Sequence, residues 1–124
     1  MNLKLVALVS GLYDLALGIT MLLFAREAAR LFSAPDPVPL LNAQLNGVFT
    51  LALAAGYAWA RADAQARRGF FWVAGVFAKG LGALLFVLDH FSQGSPASFL
   101  VFAGTDGALA LWTWAALVRS RPRA

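Results

Sequence analysis

Cysteine is absent from this 124-residue chain, and histidine occurs once, as His90. The first absence excludes disulfides, thiolate metal sites and cysteine nucleophiles. The second excludes a multi-histidine metal site or a bis-histidine haem within one protomer. Charge is scarce as well: 13% of residues are charged, against 60% that are hydrophobic. A soluble domain needs a polar face on most of its helices, and so few charges cannot supply one. The sequence also lacks a glycine-rich phosphate loop, a catalytic triad and any metal-ligand spacing. The chain therefore reads as a non-enzyme without a cofactor.

What is present is apolar length. Mean hydropathy is +0.71, and four apolar runs of about twenty residues fill nearly the whole chain, the length needed to cross ~30 Å of hydrocarbon. They predict an all-α fold: one domain over residues 1–124, an integral membrane bundle of four transmembrane helices at about 3–25, 38–60, 69–88 and 97–118. The first run carries twelve Leu, Ile, Val or Phe residues against one central acid, Asp14. On an insertion scale the twelve contribute roughly −4 to −7 kcal/mol, against about +3 for the acid, so insertion wins. A cleaved signal peptide fits less well, because its apolar core is shorter and would not hold an Asp.

The connections are short. "REAARLFSAPDPVP" suggests a brief interfacial helix around Arg26, Glu27 and Arg30, broken by Pro35, Pro37 and Pro39. Asp36 and Pro37 read as the cap and first residue of the second helix, and Ser95 and Pro96 as those of the fourth. "RADAQARR" joins helices 2 and 3, and "DHFSQGSP" joins helices 3 and 4.

Basic residues set the expected orientation. Lys4, Arg61, Arg67, Arg68, Arg119, Arg121 and Arg123 fall on the side of the termini; Arg26 and Arg30 fall on the other. Seven against two places both termini in the cytoplasm by the positive-inside rule, and Trp59, Trp72, Trp112 and Trp114 form a belt near the same ends. The net charge of +4 is then a topological signal, and no nucleic-acid partner is expected. "RADAQARR" and the tail can also meet anionic lipid, although topology alone accounts for them.

Three charges share one depth. Asp14, Lys79 and Asp106 lie near the centres of helices 1, 3 and 4, and helix 2 offers Asn42, Gln44, Asn46 and Thr50. Facing lipid singly, the three charges would cost on the order of 8–10 kcal/mol, so they are expected to face one another, with Lys79 paired to at least one acid. Each sits on a small-residue stripe: Ala7, Gly11 and Gly18 with Asp14; Gly75 and Gly82 with Lys79; Ala103 and Ala110 with Asp106. Such stripes let membrane helices approach closely. Two readings stay open: a buried ion-pair network that fixes helix pairing, or a polar pocket for a ligand head group, ion or proton. The binding candidates are Asp14, Lys79, Asp106 and Asn46. His90 beside a turn reads as a capping or solvated residue, and Asn42 with Asn46 as interhelical hydrogen bonding. "GLYDLALG" and "GVFAKGLG" align without gaps, the trace either of a duplicated hairpin or of chance between two apolar segments.

The segments "YDLALG", "GVFTLALAAGYAWARAD", "GVFAKGLGALLF" and "GTDGALALW" make the chain similar to small bacterial four-helix membrane proteins, loosely the DoxX-like group. That resemblance implies a compact bundle in the bacterial inner membrane. A further likeness is to the small multidrug-resistance transporters, through "YDLALGIT"; it implies a dimer with Asp14 as the essential membrane-embedded acid. Two functions follow as expectations. One is a non-enzymatic accessory or assembly subunit that contacts membrane lipids and packs against other membrane subunits or itself, holding a lipid or small hydrophobic ligand near the charges. The other is a proton-coupled small-solute or cation transporter working as an oligomer.

Overall fold

A computed structural model describes residues 2–120. The fold is all-α, with no strand among those residues. Its five helices are α1 (Leu3–Leu23), α2 (Ala25–Leu31), α3 (Leu40–Ala62), α4 (Arg68–Gln93) and α5 (Leu100–Arg119). A single 3-10 turn, Ala97–Phe99, leads into α5. Within α4 the stretch Phe71–Ala78 is π-helical, so each backbone hydrogen bond there spans one more residue than in an α-helix. Three segments are long and apolar enough to cross a membrane: α1 with 21 residues, α4 with 26, and Ala97–Arg119 with 23. The 23 residues of α3 have the length, but Asn42, Gln44 and Asn46 dilute its first two turns.

Helix ends depart from the hydropathy boundaries for identifiable reasons. α1 stops at Leu23 rather than residue 25, because Phe24 leaves helical geometry while its N–H still donates to Thr20. The short helix expected around Arg26 and Glu27 is α2, with Glu27 in its first turn and Arg30 in its last, as the helix dipole favours. Ser33 ends α2 at φ 54°, and the Ser33 and Ala34 amides return to Arg30 and Ala29 in a Schellman arrangement. The Asp36–Pro37 cap is corrected: α3 begins only at Leu40, with Pro39 in the cap position and no side chain capping it. A residue that precedes proline is kept out of the helical region, so the run of prolines delays the start to the residue after the last one. α4 outlasts its apolar segment and continues to Gln93. Polar Asp89 and His90 end the hydrophobic stretch without breaking the helix; Gly94, at φ 74°, breaks it. Ser95 does not cap α5: its Oγ is buried without a partner, and the 3-10 turn closes instead through Phe99 N–H to Pro96.

Packing is densest at the end of the bundle where α1 begins and α5 finishes. There Leu3, Val6 and Ala7 of α1 meet Tyr57 and Ala60 of α3, Phe71 and Ala74 of α4, and Ala116 and Leu117 of α5. Phe70 packs edge-on against Tyr57 at 5.0 Å. Arginines of the α3–α4 connection brace this end. Arg68 donates to Leu117 O at 2.7 Å, to Ser120 Oγ at 2.9 Å and to Ser120 O; Arg67 lies over the Trp59 ring at 4.4 Å. At the opposite end Phe32, Phe86, Phe99 and Phe102 cluster, with Phe32 and Phe102 5.0 Å apart. His90 Nδ1 lies 2.7 Å from Ser95 O and holds the turn there.

α1 is the axis of the assembly. It packs against α3 along most of its length and meets α5 more lightly, while α4 and α5 pair with each other. The α1–α3 contact is backbone to backbone, since a Cβ on Gly47 would lie 2.8 Å from both Gly18 O and Leu22 N. Large apolar side chains point outward, among them Leu12, Phe49, Leu85 and Leu111, an inversion of the soluble pattern.

Candidate functional site

Asp14 and Lys79 meet in the interior. Lys79 Nζ donates to Asp14 Oδ1 at 2.7 Å, with the side chains 6% and 4% exposed. Local sequence puts them there: Ser10, Asp14 and Gly18 share the buried face of α1, and Lys79 follows Gly75 on that of α4. Gly75 is forced by its neighbour, because a Cβ would meet Thr113 Cγ2 at 2.5 Å.

Aromatic rings complete the lysine's surroundings. Its Nζ lies 5.1 Å from the Tyr13 ring centroid and 5.7 Å from that of Tyr57, so two π-faces replace part of the lost hydration. Tyr13 Oη in turn hydrogen-bonds Thr105 Oγ1 at 2.7 Å, tying α1 to α5 one residue before Asp106. Asp106 itself is half-buried and takes part in no ion pair among the described residues. It faces α4 across Gly82, whose added Cβ would stand 3.6 Å from Asp106 Oδ2.

Three further polar atoms are buried without a hydrogen-bond partner among the described residues: Asp14 Oδ2, Ser10 Oγ and Tyr57 Oη. Buried polar groups are rarely left so. They sit beside the Asp14–Lys79 pair, so this end of the Asp14 carboxylate has capacity to accept a hydrogen bond.

The four candidate residues therefore divide. Asp14 and Lys79 form the centre, Asp106 stands next to it without direct pairing, and Asn46 is not part of it. Asn46 is exposed on α3, its carbonyl accepting from Thr50 Oγ1 at 2.7 Å. Gly47, one residue on, is what α3 turns toward α1, and Asn46 lies near the start of α3, about three turns from Tyr57 and the ion pair. Ser10, Tyr13, Tyr57 and Thr105 are surrounding side chains that the charges alone do not announce. Ser10 stood one helical turn before Asp14, and Tyr13 beside it; Tyr57 had no signal beyond its depth.

Among the described residues no three His, Asp or Glu side chains assemble as a metal site. Two surface grooves, of about 480 and 440 Å³, lie away from the ion pair. No family model matches the chain, and comparison with curated proteins and with solved structures gives no match.

Proposed function

We propose that the chain is a four-span protein of the bacterial inner membrane with both termini cytoplasmic, acting as a non-enzymatic accessory or assembly subunit of a membrane complex. The observation that carries this reading is the closed Asp14–Lys79 pair, 2.7 Å long and almost fully buried. Its two charges answer each other across α1 and α4, which belong to different helix pairs, so they serve as a clamp and not as reacting groups. The rest of the surface is apolar side chain and short connection, suited to packing in lipid against other subunits. In this reading α3 crosses the membrane as the fourth span, its polar turns lying at one surface. Lys4, Arg61, Arg67, Arg68 and Arg119 mark the cytoplasmic side; Arg121 and Arg123 lie outside the described residues. The likeness to the DoxX-like group accords with a compact bundle of this kind.

The test is affinity purification in mild detergent followed by mass spectrometry of co-purifying proteins and lipids. A stoichiometric membrane partner is expected. A monodisperse protein free of partners and active in substrate flux would overturn the reading.

One observation favours the second reading, a proton-coupled small-solute or cation transporter. Among the described residues Asp106 has no paired cation and Asp14 Oδ2 has no donor, which leaves acidic capacity beside the clamp. In that case Asp14→Asn abolishes pH-dependent uptake into proteoliposomes while the protein stays folded. Loss of stability without any wild-type uptake to lose supports the clamp instead.

A further inference from the structure

The outward side of the α1–α3 contact is a groove of about 440 Å³. Its walls are Leu8, Leu12 and Leu15 on α1 and Leu51 on α3, and small residues, Ala55 and Ala58, keep it open. At one end stands Arg61, exposed and in no ion pair among the described residues. Every other lining residue is apolar, so the groove is a hydrocarbon slot that ends on one guanidinium.

Its length is informative. From Leu51 to Arg61 the helix advances ten residues, about 15 Å at 1.5 Å per residue. That is half of the ~30 Å hydrocarbon thickness. The slot therefore runs from the bilayer midplane to one surface, the surface that carries the basic residues. An acyl chain of a lipid in that leaflet spans the same distance and delivers its phosphate to the depth of Arg61. A guanidinium binds phosphate with two parallel charge-assisted hydrogen bonds.

We infer that this groove is a binding site for one anionic phospholipid of the cytoplasmic leaflet, its chain between α1 and α3 and its phosphate on Arg61. The inference rests on the proposed four-span topology, which alone places Arg61 at the membrane surface. A second copy of the chain fits less well, because its matching groove would bring two Arg61 guanidinium groups to the same depth, and no acid lines the groove to answer them.

The experiment is native mass spectrometry of the full chain, extracted from membranes and exchanged into detergent with phosphatidylglycerol or phosphatidylcholine. One phosphatidylglycerol is expected to remain bound, with a preference over phosphatidylcholine of about tenfold: both lipids carry the phosphate, but the choline ammonium of the second cancels its net charge and repels the Arg61 guanidinium. Arg61→Gln removes the preference and leaves binding of both lipids equal. Ala55→Phe, which fills the slot from an exposed position, removes retention of either lipid; Ala58→Leu is the second groove-filling variant should the first disturb folding. Equal retention of the two lipids by the wild type overturns the inference, as does an unchanged preference in Arg61→Gln. A dimer lost on Ala55→Phe also overturns it, in favour of a second copy. Recovery of the chain in the soluble fraction defeats the four-span reading itself, whereas a membrane-extracted chain without lipid preference defeats the groove alone.

Discussion

Replacing Lys79 by methionine removes one charge of the buried pair while keeping a side chain of similar length. The consequence is set by what is left behind. As a whole residue Asp14 is 2% exposed, its Oδ1 loses a donor 2.7 Å away, and its Oδ2 already has none among the described residues. Breaking a buried pair by removing one partner costs about 3–5 kcal/mol, because a charge is stranded. Loss of an ordinary interhelical hydrogen bond in a membrane costs nearer ~0.6 kcal/mol. Burial decides between these scales, so Lys79→Met should lose about 3 kcal/mol. Asp14→Leu should lose a similar amount, by stranding the ammonium between Tyr13 and Tyr57. The double variant carries no charge at the site and should recover most of the loss, since an apolar replacement of a buried pair is often neutral or stabilising. The assay is reversible unfolding in mixed micelles for the two single variants and the double. A coupling energy of about 2 kcal/mol or more is expected. If the single losses simply add, within the ~0.5 kcal/mol of independent sites, the charges do not clamp α1 to α4 and the argument fails.

Two other contacts give further outcomes. Gly47→Leu puts a side chain where backbone atoms of Gly18 and Leu22 stand 2.8 Å away, and should cost at least about 1–3 kcal/mol as overpacking. Gly18→Ala should cost less, because its nearest obstruction is the side chain of Leu51; unfolding midpoints rank the two. Arg68→Gln releases the carbonyls of Leu117 and Ser120 and should cost about 1–2 kcal/mol. Its mark is faster amide hydrogen exchange in the last turn of α5, and Arg68→Lys should restore it only in part, lacking the guanidinium fork.

Composition and hydropathy made the broad architecture legible, because apolar length is imposed by the solvent rather than by neighbours. Three of the four anticipated spans reappear as helices long and apolar enough to cross a membrane. What hydropathy misplaced were the ends. At residues 89–93 it reads where hydrocarbon stops, whereas the helix stops at a residue of suitable backbone, Gly94. At residues 36–39 it found a good cap in Asp36, but the sterics of the prolines that follow overrode it and held the chain extended to Pro39. The Arg68 contacts escaped for a different reason. A basic loop is sufficiently explained by orientation, and only three dimensions show that the same guanidinium seals the last turn of α5.

The site was legible where cost is a property of one residue, and illegible where it depends on which neighbours a helix face meets. A charge at mid-depth must be answered wherever it points, so the pairing of Asp14 with Lys79 follows from their depth and from the scarcity of other cations. An asparagine carries no such compulsion, and its face is set by the residue that needs the contact more. On α3 that residue is Gly47, whose missing side chain admits the backbone of α1. Asn46 and Tyr57 are eleven residues apart, only about 20° in rotation but roughly 16 Å along the axis, so depth separates them: Tyr57 is buried among side chains of α1, α4 and α5, and Asn46, near the start of α3, is exposed. The α1–α3 crossing fixes which face of α3 meets α1, whereas depth along α3 sets the burial of Tyr57 and the exposure of Asn46. The crossing also explains the groove, since two helices held this close at Gly18 and Gly47 leave a narrow apolar channel along their outer edge, leading from Leu51 to Arg61.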